Sequence, residues 1–334
     1  MKSFVLSDIQ KLAFDAGNKI DRAGMSKEDV NEAIRNAVRE ACGGDWNPYA
    51  FKKNAQDVFA LLAEIMPVNM RATLGQQLDS FCDFRDEALG DKTYFTIYDR
   101  TVFKTLTVAT GTKNITRVKL EDTNFKVDTK LQGIRMYDEL DSFMRGNMDF
   151  ARLNEKATEA MSQYVGELVA STIYGAYSSI KTRFKATGSY DASTLSSIIK
   201  HIKSENGVNS VQIFGNEDAL ANIADQFGYS DNAKDQANKW GYYGTFRGTD
   251  LIALPQSYVA GEGSTDFAVD SSHVIIVPKT SDKIVKVVFE GEVIVDMNNS
   301  LSRTDLQQEI LFMRRIGAAA ITAVDGRYGM YKFE

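Results

Sequence analysis

The most constraining feature of this 334-residue chain is one long helical stripe that begins near residue 150. Asn147 or Asp149 can cap the helix, and a helix that runs to about Tyr177 extends roughly 40 Å at 1.5 Å per residue. That length is about the span of a domain. Residues 171–180 carry no charge, which predicts burial of this part by neighbouring elements. The apolar stripe steps by three and four residues: Phe150, Leu153, Ala157, Met161, Tyr164 and Leu168.

Residues 93–119 have the composition of β-strands, with aromatic and β-branched side chains set among many threonines. The tract ATGTKN at residues 109–114 supplies a turn. The pattern therefore predicts a long hairpin over residues 93–118 in which each face is only partly apolar. Because a two-stranded ribbon alone is marginally stable in water, we expect it to lie on something else.

The N-terminal part of the chain is predicted to be helical. Ser26 begins one amphipathic helix, which Gly43 ends, and Pro48 stands at the first position of a second helix that stops before Pro67. These two helices predict a helical arm over residues 1–70.

The second half of the chain alternates helix and strand and then becomes rich in strands. Asp191 is expected to cap a helix that Gly207 ends, followed by a strand at 211–214, a helix at 216–227 and a strand at 246–254. Further strands are predicted at residues 273–277, 284–289, 292–296 and 309–322. Because the parts before residue 181 and after residue 277 are both elongated, the α/β lobe between them is predicted to be an insertion.

The sequence contains no recognisable catalytic motif. The patterns GxxxxGK[ST], GxGxxG, HExxH and GxSxG are all absent. His201 falls on the polar side of a helix, and His273 begins a strand, where an edge or turn role is expected. With only Cys42 and Cys82 besides, the chain has too few ligands for a structural zinc site. We therefore predict no enzymatic activity, no cofactor and no metal.

Two further patterns could indicate catalysis or nucleic-acid binding, but each has a simpler explanation. The pair Asp138 and Glu139 could serve a glycosidase as acid and base, but a chain with 45 acidic residues pairs some of them by chance. Aromatic and basic residues of the hairpin could form a platform for single-stranded nucleic acid, but the nearby Asp83, Asp86 and Asp99 would repel a phosphate backbone. The alternative is a hairpin that packs on another copy of the chain.

Net charge limits the partners of the whole chain. The 45 acidic and 39 basic residues give a formal charge of −6, so any contact with nucleic acid must be local. No stretch is apolar enough for a membrane span, and the N-terminus lacks the order of a signal peptide, which predicts a chain made in the cytoplasm.

Taken in order, these parts resemble the major capsid protein of tailed bacteriophages, which has the Hong Kong 97-type fold. The segment GTFRGTDLIAL at residues 244–254 is similar to a strand after a glycine in the axial domain of that family. The segment LQQEILFMRRIG at residues 306–317 is similar to its arginine-containing final strand. The resemblance lies in the order and pattern of parts and covers about residues 70–334. It implies an α+β fold with an N-terminal arm, an extended hairpin loop, a peripheral domain with a long spine helix, and an α/β axial domain.

The resemblance also predicts where the domains begin and end. The arm takes residues 1–70, the extended loop and its lead-in 71–118, the peripheral domain 119–178 and 278–334, and the axial domain 179–277. Residues 125–136 are similar to a long strand of the peripheral domain. Members that cross-link their subunits use a lysine of the loop and a distant asparagine. Lysines and asparagines are present here, but nothing around them marks them for cross-linking, and we infer none.

The implied function is that of a structural subunit which assembles with itself, as hexamers and pentamers, into a shell around double-stranded DNA. The alternatives are an encapsulin, a protein nanocompartment shell, and an enzyme of unknown type with an α/β lobe. Portal, scaffold or decoration proteins are further implied partners, and DNA would be bound by weak, non-specific contact. Ten residues are the candidate inter-subunit contacts: Arg100, Lys104, Thr107, Gly111, Lys113, Arg117, Glu155, Glu159, Arg303 and Asp305.

Overall fold

The fold was analysed in a computed structural model. It describes residues 82–91, 94–98, 105–107, 117–119, 122–139, 150–223, 238–254, 265–280, 283–297, 307–321 and 326–334, with a few isolated positions elsewhere. The predicted N-terminal arm, the tip of the hairpin and the polar segment at 298–306 lie outside the described residues.

The described residues form an α+β structure of strands, helices and short 3-10 turns. The strands are β1 Cys82–Glu87, β2 Tyr94–Ile97, β3 Thr123–Lys126, β4 Lys130–Glu139, β5 Lys185–Thr187, β6 Val211–Gly215, β7 Thr245–Phe246, β8 Thr249–Ala253, β9 His273–Pro278, β10 Val285–Met297, β11 Gln307–Ala320 and β12 Gly329–Lys332. The helices are α1 Phe150–Gly175, α2 Ala192–Asn206 and α3 Glu217–Ala221, with 3-10 turns at Ala176–Ser179 and Thr182–Phe184.

The predicted long helix is α1, and it packs against a four-stranded sheet of order β1-β10-β11-β4. The helix contributes a stripe with a spacing of four residues: Ala157, Met161, Val165, Val169 and Ile173. The sheet side of the same core includes Val285, Val287, Phe289, Phe312 and Ile316. Burying each large apolar side chain contributes about 1.5–3 kcal/mol, so this interface holds the long helix in place.

Strands β10 and β11 form the long hairpin of this sheet. The sequence predicts two separate strands at 284–289 and 292–296, but the structure has one strand with a shift of register between Glu290 and Ile294. Gly291 lies at this irregularity with φ of +72°, a conformation that glycine adopts without steric cost. The prediction is wrong here because a bulge continues the pairing where the sequence shows an interruption.

The α/β lobe contains a six-stranded sheet of order β5-β12-β9-β6-β8-β7. Helix α2 packs on it through Leu195, Ile198 and Ile202, which share a core with Ile213 and Val274. The predicted helix caps are present. Backbone N–H groups of Ser193 and Thr194 donate to the Asp191 carboxylate at 3.1 and 3.0 Å, and Gly207 ends the helix in the left-handed conformation. Hydrogen bonds, first those from the Thr194 and Ser193 hydroxyls, hold the pKa of Asp191 well below its usual range.

Two elements of the lobe differ from the prediction. Residues 246–254 are not one strand, since β7 and β8 pair with each other across a turn at Arg247 and Gly248. Both turn residues have positive φ, +47° and +76°, as tight hairpin turns of two residues require. The helix predicted at 216–227 is described only as Glu217–Ala221, and residues 224–227 lie outside the described residues.

Sheet membership crosses the predicted domain boundaries at three places. Strand β12 lies between β5 and β9 in the six-stranded sheet, although residues 278–334 are predicted to belong to the peripheral domain. Strand β1 pairs with β10 in the four-stranded sheet, although it falls in the predicted lead-in of the loop. Strand β3 pairs with β2 and not with β11, so the hairpin continues beyond residue 118. We call the β2–β3 pair the ribbon.

Candidate assembly site at the root of the ribbon

The ribbon is fixed to the four-stranded sheet on the side opposite to α1. Phe95 of β2 is 2% exposed and shares a small core with Val127 and Val288. Phe125 of β3 stacks on Phe95 with ring centroids 5.5 Å apart. We call this contact, together with the residues around it, the ribbon root. It consists of Gly90, Phe95, Val127, Thr129, Val288, Glu290 and Gly317. The ribbon thus begins from a packed base.

Two cations flank the central ring of the root. The Arg85 guanidinium lies 4.1 Å from the centroid of the Phe95 ring, and the Lys286 ammonium lies 5.8 Å from it. Lys286 is largely buried and donates to the Asp83 carboxylate at 3.1 Å. Cation–π contacts of this kind contribute about 0.5–2 kcal/mol, depending on how much water they exclude. Two charged side chains of the sheet therefore contact the Phe95 ring.

A single carboxylate connects the two ends of the ribbon. Glu290 of β10 accepts a hydrogen bond from the backbone N–H of Gly90, just before the ribbon, at 3.0 Å. Its other oxygen accepts from the hydroxyl of Thr129, just after the ribbon. The Thr129 hydrogen bond first, then the Gly90 N–H and the charges of Arg315 and Lys126, hold the pKa of Glu290 below its ordinary value. Glu290 therefore ties both ends of the ribbon to one point of the sheet.

Protonation of Glu290 in acid should weaken its two hydrogen bonds and loosen the ribbon root. A carboxylate whose pKa is lowered by folding stabilises the fold above its ordinary pKa, and this stabilisation is lost as the pH falls through the lowered pKa. We expect the Gly90 amide to lose protection from hydrogen exchange over that range, after correction for intrinsic exchange rates. In Glu290→Gln the protection should be weaker at neutral pH and nearly independent of pH.

Glu292→Gln is the matched control, because Glu292 is an exposed carboxylate of the same strand. It should behave as the wild type. Equal loss of Gly90 protection in both variants, or protection in the wild type that does not change with pH, would contradict the role given to Glu290.

The chain that leaves the ribbon crosses β11 at a glycine. A Cβ added to Gly317 would lie 2.4 Å from the carbonyl oxygen of Asp128 and 3.1 Å from a methyl group of Val127. Only a residue without a side chain allows this approach of two backbones. Further along, the Arg327 guanidinium donates to the carbonyl oxygen of Tyr98 at 2.9 Å. The ribbon root is therefore defined by backbone contacts as well as by side chains.

In β2 Ile97 is buried as Phe95 is, at 1% exposed, and Phe125 of β3 is partly buried. The other described side chains of the ribbon are exposed, as are those of residues 105–107 and 117–119. Tyr94 and Tyr98 are 62% and 66% exposed, and Leu106 and Val118 are also exposed. Leu89, in the turn before the ribbon, is exposed as well. Several large apolar side chains exposed in one region are a common sign of a protein–protein contact.

The structure describes few of the candidate contact residues that the sequence indicates. Thr107 and Arg117 are exposed, as is Glu159, which pairs with Lys156 at 2.6 Å on the surface of α1. Glu155 belongs to α1, but its side chain is not described. The remaining candidates lie outside the described residues: Arg100, Lys104, Gly111, Lys113, Arg303 and Asp305.

Sequence reasoning missed every residue of the ribbon root as a site. Most residues that the sequence indicates are charged or turn residues of the hairpin. The residues that anchor the ribbon are an aromatic ring, Phe95, a carboxylate, Glu290, and a glycine, Gly317. A glycine inside a predicted strand indicates a bulge or a close backbone approach, so Gly317 was the available signal. Nothing in the sequence distinguishes Glu290 from other acidic residues.

The described residue cluster that most resembles a catalytic group surrounds His273. The ring nitrogen Nδ1 lies 2.7 Å from the Asp270 carboxylate and 3.0 Å from the Ser272 hydroxyl. A Ser-His-Asp triad needs the acid and the nucleophile on opposite ring nitrogens, and here both lie at the same nitrogen. The rings of Tyr174 and Tyr177 pack on the imidazole, and burial raises the pKa of Tyr174 to about 12. The arrangement joins α1 to the lobe.

The sequence predicted an edge or turn role for His273. The residue directly follows the turn at residues 271–272, but its strand is not at a sheet edge. His273 begins β9, which lies between β12 and β6, and it is 8% exposed. Among the residues that the structure describes, no cluster of His, Cys, Asp and Glu side chains is arranged to hold a metal ion. None of the described helices is both long and apolar enough to span a membrane.

A long helix packed on a four-stranded sheet, a six-stranded α/β lobe and an anchored ribbon make up a fold of the Hong Kong 97 type. Solved structures agree with this fold. The mature capsid of bacteriophage PhiM1 superposes with a TM-score of 0.52 at 8% identity, over 76% of this chain and 86% of that chain. The capsid of the cyanophage P-SCSP1u gives 0.51 at 11% identity, over 76% and 86%.

Residues 6–328 match the family described as "SPbeta prophage-derived putative capsid protein YonB". The chain belongs to this family of phage capsid proteins. No curated relative matches the sequence. The family and the fold confirm the predicted resemblance and the α+β class.

Proposed function

We propose that many copies of this chain form the icosahedral head shell of a tailed phage, as hexamers and pentamers around double-stranded DNA. The chain is then made in the host cytoplasm and ends in the virion. The single observation that carries this proposal is the ribbon, which is buried at Phe95 and Ile97 and leads to exposed residues at 105–107 and 117–119. A two-stranded ribbon gains little stability alone, so its exposed aromatic and apolar side chains need the surface of neighbouring copies.

The proposal assigns the ten candidate residues of the sequence to contacts between copies. Thr107 and Arg117 support it by their exposure within the predicted hairpin, and Glu159 by its exposure on α1. We keep the predicted boundaries of the arm, the loop, the peripheral domain and the axial domain. The exceptions are β1, β3 and β12, which pair across these boundaries. A portal, a scaffold and decoration proteins are proposed as further partners, and DNA contact should be weak because the chain carries a charge of −6.

Particles purified from phage-producing cells test the proposal directly. We expect this chain to be their most abundant protein by mass spectrometry, and the particles to contain DNA that resists added nuclease. Shells of this chain that hold a protein cargo and no protected DNA would identify a nanocompartment instead. A chain found only as a monomer outside particles would overturn the shell assignment and favour the enzyme alternative.

Removal of the hairpin tip should separate folding from assembly. The deletion of residues 107–114 leaves the ribbon root intact, so we expect a soluble subunit with the helical circular dichroism of the wild type. The same variant should give no shells by negative-stain microscopy, because the proposal assigns this segment to contacts with neighbouring copies. Shells of normal size formed by the deletion variant would refute this role of the ribbon.

A further inference from the structure

Strand β4 is an edge strand of unusual length. Lys130–Glu139 pairs with β11 on one side, and among the described residues no strand pairs with its other side. An edge strand presents unpaired backbone N–H and C=O groups at every second residue, which is a template for another strand. With ten residues, β4 is longer than the mean strand of about five or six residues, so a second strand could pair along its whole length.

The side chains of β4 alternate between a covered and an exposed face. Ile134 and Met136 pack against the core beneath α1. On the other face Leu131 and Tyr137 are 48% and 70% exposed, and Arg135 between them is also exposed. The edge thus carries apolar side chains near both ends of one face, with a cation between them.

We propose that β4 pairs antiparallel with β4 of a second copy of this chain across a two-fold axis perpendicular to the sheet. The two four-stranded sheets then join into one continuous sheet of eight strands, with both α1 helices on the same side. The pairing is isologous, because each copy contributes the same strand. This interface would lie within the shell proposed above, but a dimer of free subunits would show it equally well.

The sequence of β4 is complementary to itself in one register. With Ile134 opposite Ile134 of the second copy, Leu131 stands opposite Tyr137 on the exposed face. The same register places the basic Lys130 opposite the acidic Asp138. Apolar and opposite-charge pairs at facing positions are the pairs that stabilise antiparallel strands, and two-fold symmetry makes each of them twice.

Other registers lose these pairs. A shift of one residue turns the exposed face of one copy towards the α1 side of the other, which interrupts the common sheet face. A shift of two residues in one direction places Arg135 opposite Arg135 of the second copy, where like charges repel. The same shift in the other direction places Leu131 opposite Arg135 and leaves Asp138 without a facing residue of the strand. Charge and alternation therefore select the register centred on Ile134.

Engineered cysteines test both the partner and the register. We expect Leu131→Cys/Tyr137→Cys to form disulfide-linked dimers under mild oxidation, seen on a non-reducing gel, because facing positions of paired strands are close enough for a disulfide. Leu131→Cys/Arg135→Cys is the register control and should give at least tenfold less dimer. Both variants are made in a Cys42→Ser background, and this background alone should give no dimer, since its remaining Cys82 is buried. No dimer from the first variant, or equal dimer from both, would overturn the proposal.

Charge exchange gives a second test that does not depend on disulfide geometry. Lys130→Asp should weaken the association of subunits by roughly tenfold in sedimentation, since symmetry replaces two attractive pairs by two repulsive ones. Lys130→Asp/Asp138→Lys should restore the association, because it returns an opposite charge to each facing position. Failure of the restoration would contradict the register.

Hydrogen exchange of the monomeric subunit tests whether a segment of the same chain, and not a second copy, covers the edge of β4. In the dimer or the shell, amides on the outer edge of β4 should be protected, and in the monomer they should exchange freely. Protection in the monomer would mean that a segment of the same chain covers the edge, and the proposed pairing between copies would then be wrong.

Discussion

Replacement of Gly317 by alanine should destabilise the subunit and prevent shell assembly. Alanine in a strand is normally favoured over glycine by about 0.5–1 kcal/mol, so the structure predicts a change of sign at this position. The new Cβ would lie 2.4 Å from the carbonyl oxygen of Asp128, a backbone atom that cannot rotate away. Overpacking of this kind costs about 1–3 kcal/mol. Urea unfolding of the subunit and particle counts by electron microscopy measure the two effects.

Gly166→Ala is the matched control for this substitution. Gly166 lies within α1, and a Cβ added there meets no atom within 4 Å. Alanine should therefore raise the stability by up to about 1 kcal/mol through helix propensity alone, without harm to assembly. If Gly317→Ala proves as stable and as competent in assembly as Gly166→Ala, the close crossing of the ribbon over β11 is not a structural requirement.

Phe95→Ala should release the ribbon from the sheet while leaving the helix and the lobe folded. The ring is 2% exposed, stacks on Phe125 and lies near the cations of Arg85 and Lys286. Removal of a buried phenylalanine side chain costs about 3–5 kcal/mol. We expect rapid hydrogen exchange across the two ribbon strands, unchanged protection of α1, and a loss of shells.

The adjacent residue supplies the control. Tyr94 is 62% exposed and points away from the root, so Tyr94→Ala should leave the protection of the ribbon unchanged in the free subunit. In the shell its effect reports on contact with a neighbouring copy. Equal ribbon protection in Phe95→Ala and Tyr94→Ala would show that the aromatic ring does not anchor the ribbon.

Local elements were the most predictable part of this protein. The stripe of apolar residues from Phe150 onwards predicted the long helix, which ends at Gly175 and continues as a 3-10 turn. Asp191 and Gly207 cap their helix as predicted, because both signals act within one turn of the chain. The resemblance to phage capsid proteins rests on the order of such elements, and the family match confirms it.

Pairing between distant segments was less predictable. Strand β3 was assigned to the peripheral sheet and pairs with β2 instead, and β12 joins the lobe although it follows the long hairpin. The composition of a segment indicates that it will form a strand, but it does not indicate which strand it will pair with. Pairing with several partners, in several registers, would bury similar apolar side chains. The bulge at Gly291 has a different reason, since the sequence shows an interruption there that the pairing with β11 continues across.

The sequence by itself therefore determined the long helix, helix α2 with both of its caps, most of the described strand-rich segments and the class of protein, because these depend on periodicity and on neighbours along the chain. Only the tertiary structure decided the ribbon root. Glu290 lies 200 residues from Gly90 along the chain, and Gly317 lies against the backbone of Asp128, which is also remote in sequence. Such contacts exist only after the sheet has formed, so their residues carry no local pattern that distinguishes them beforehand.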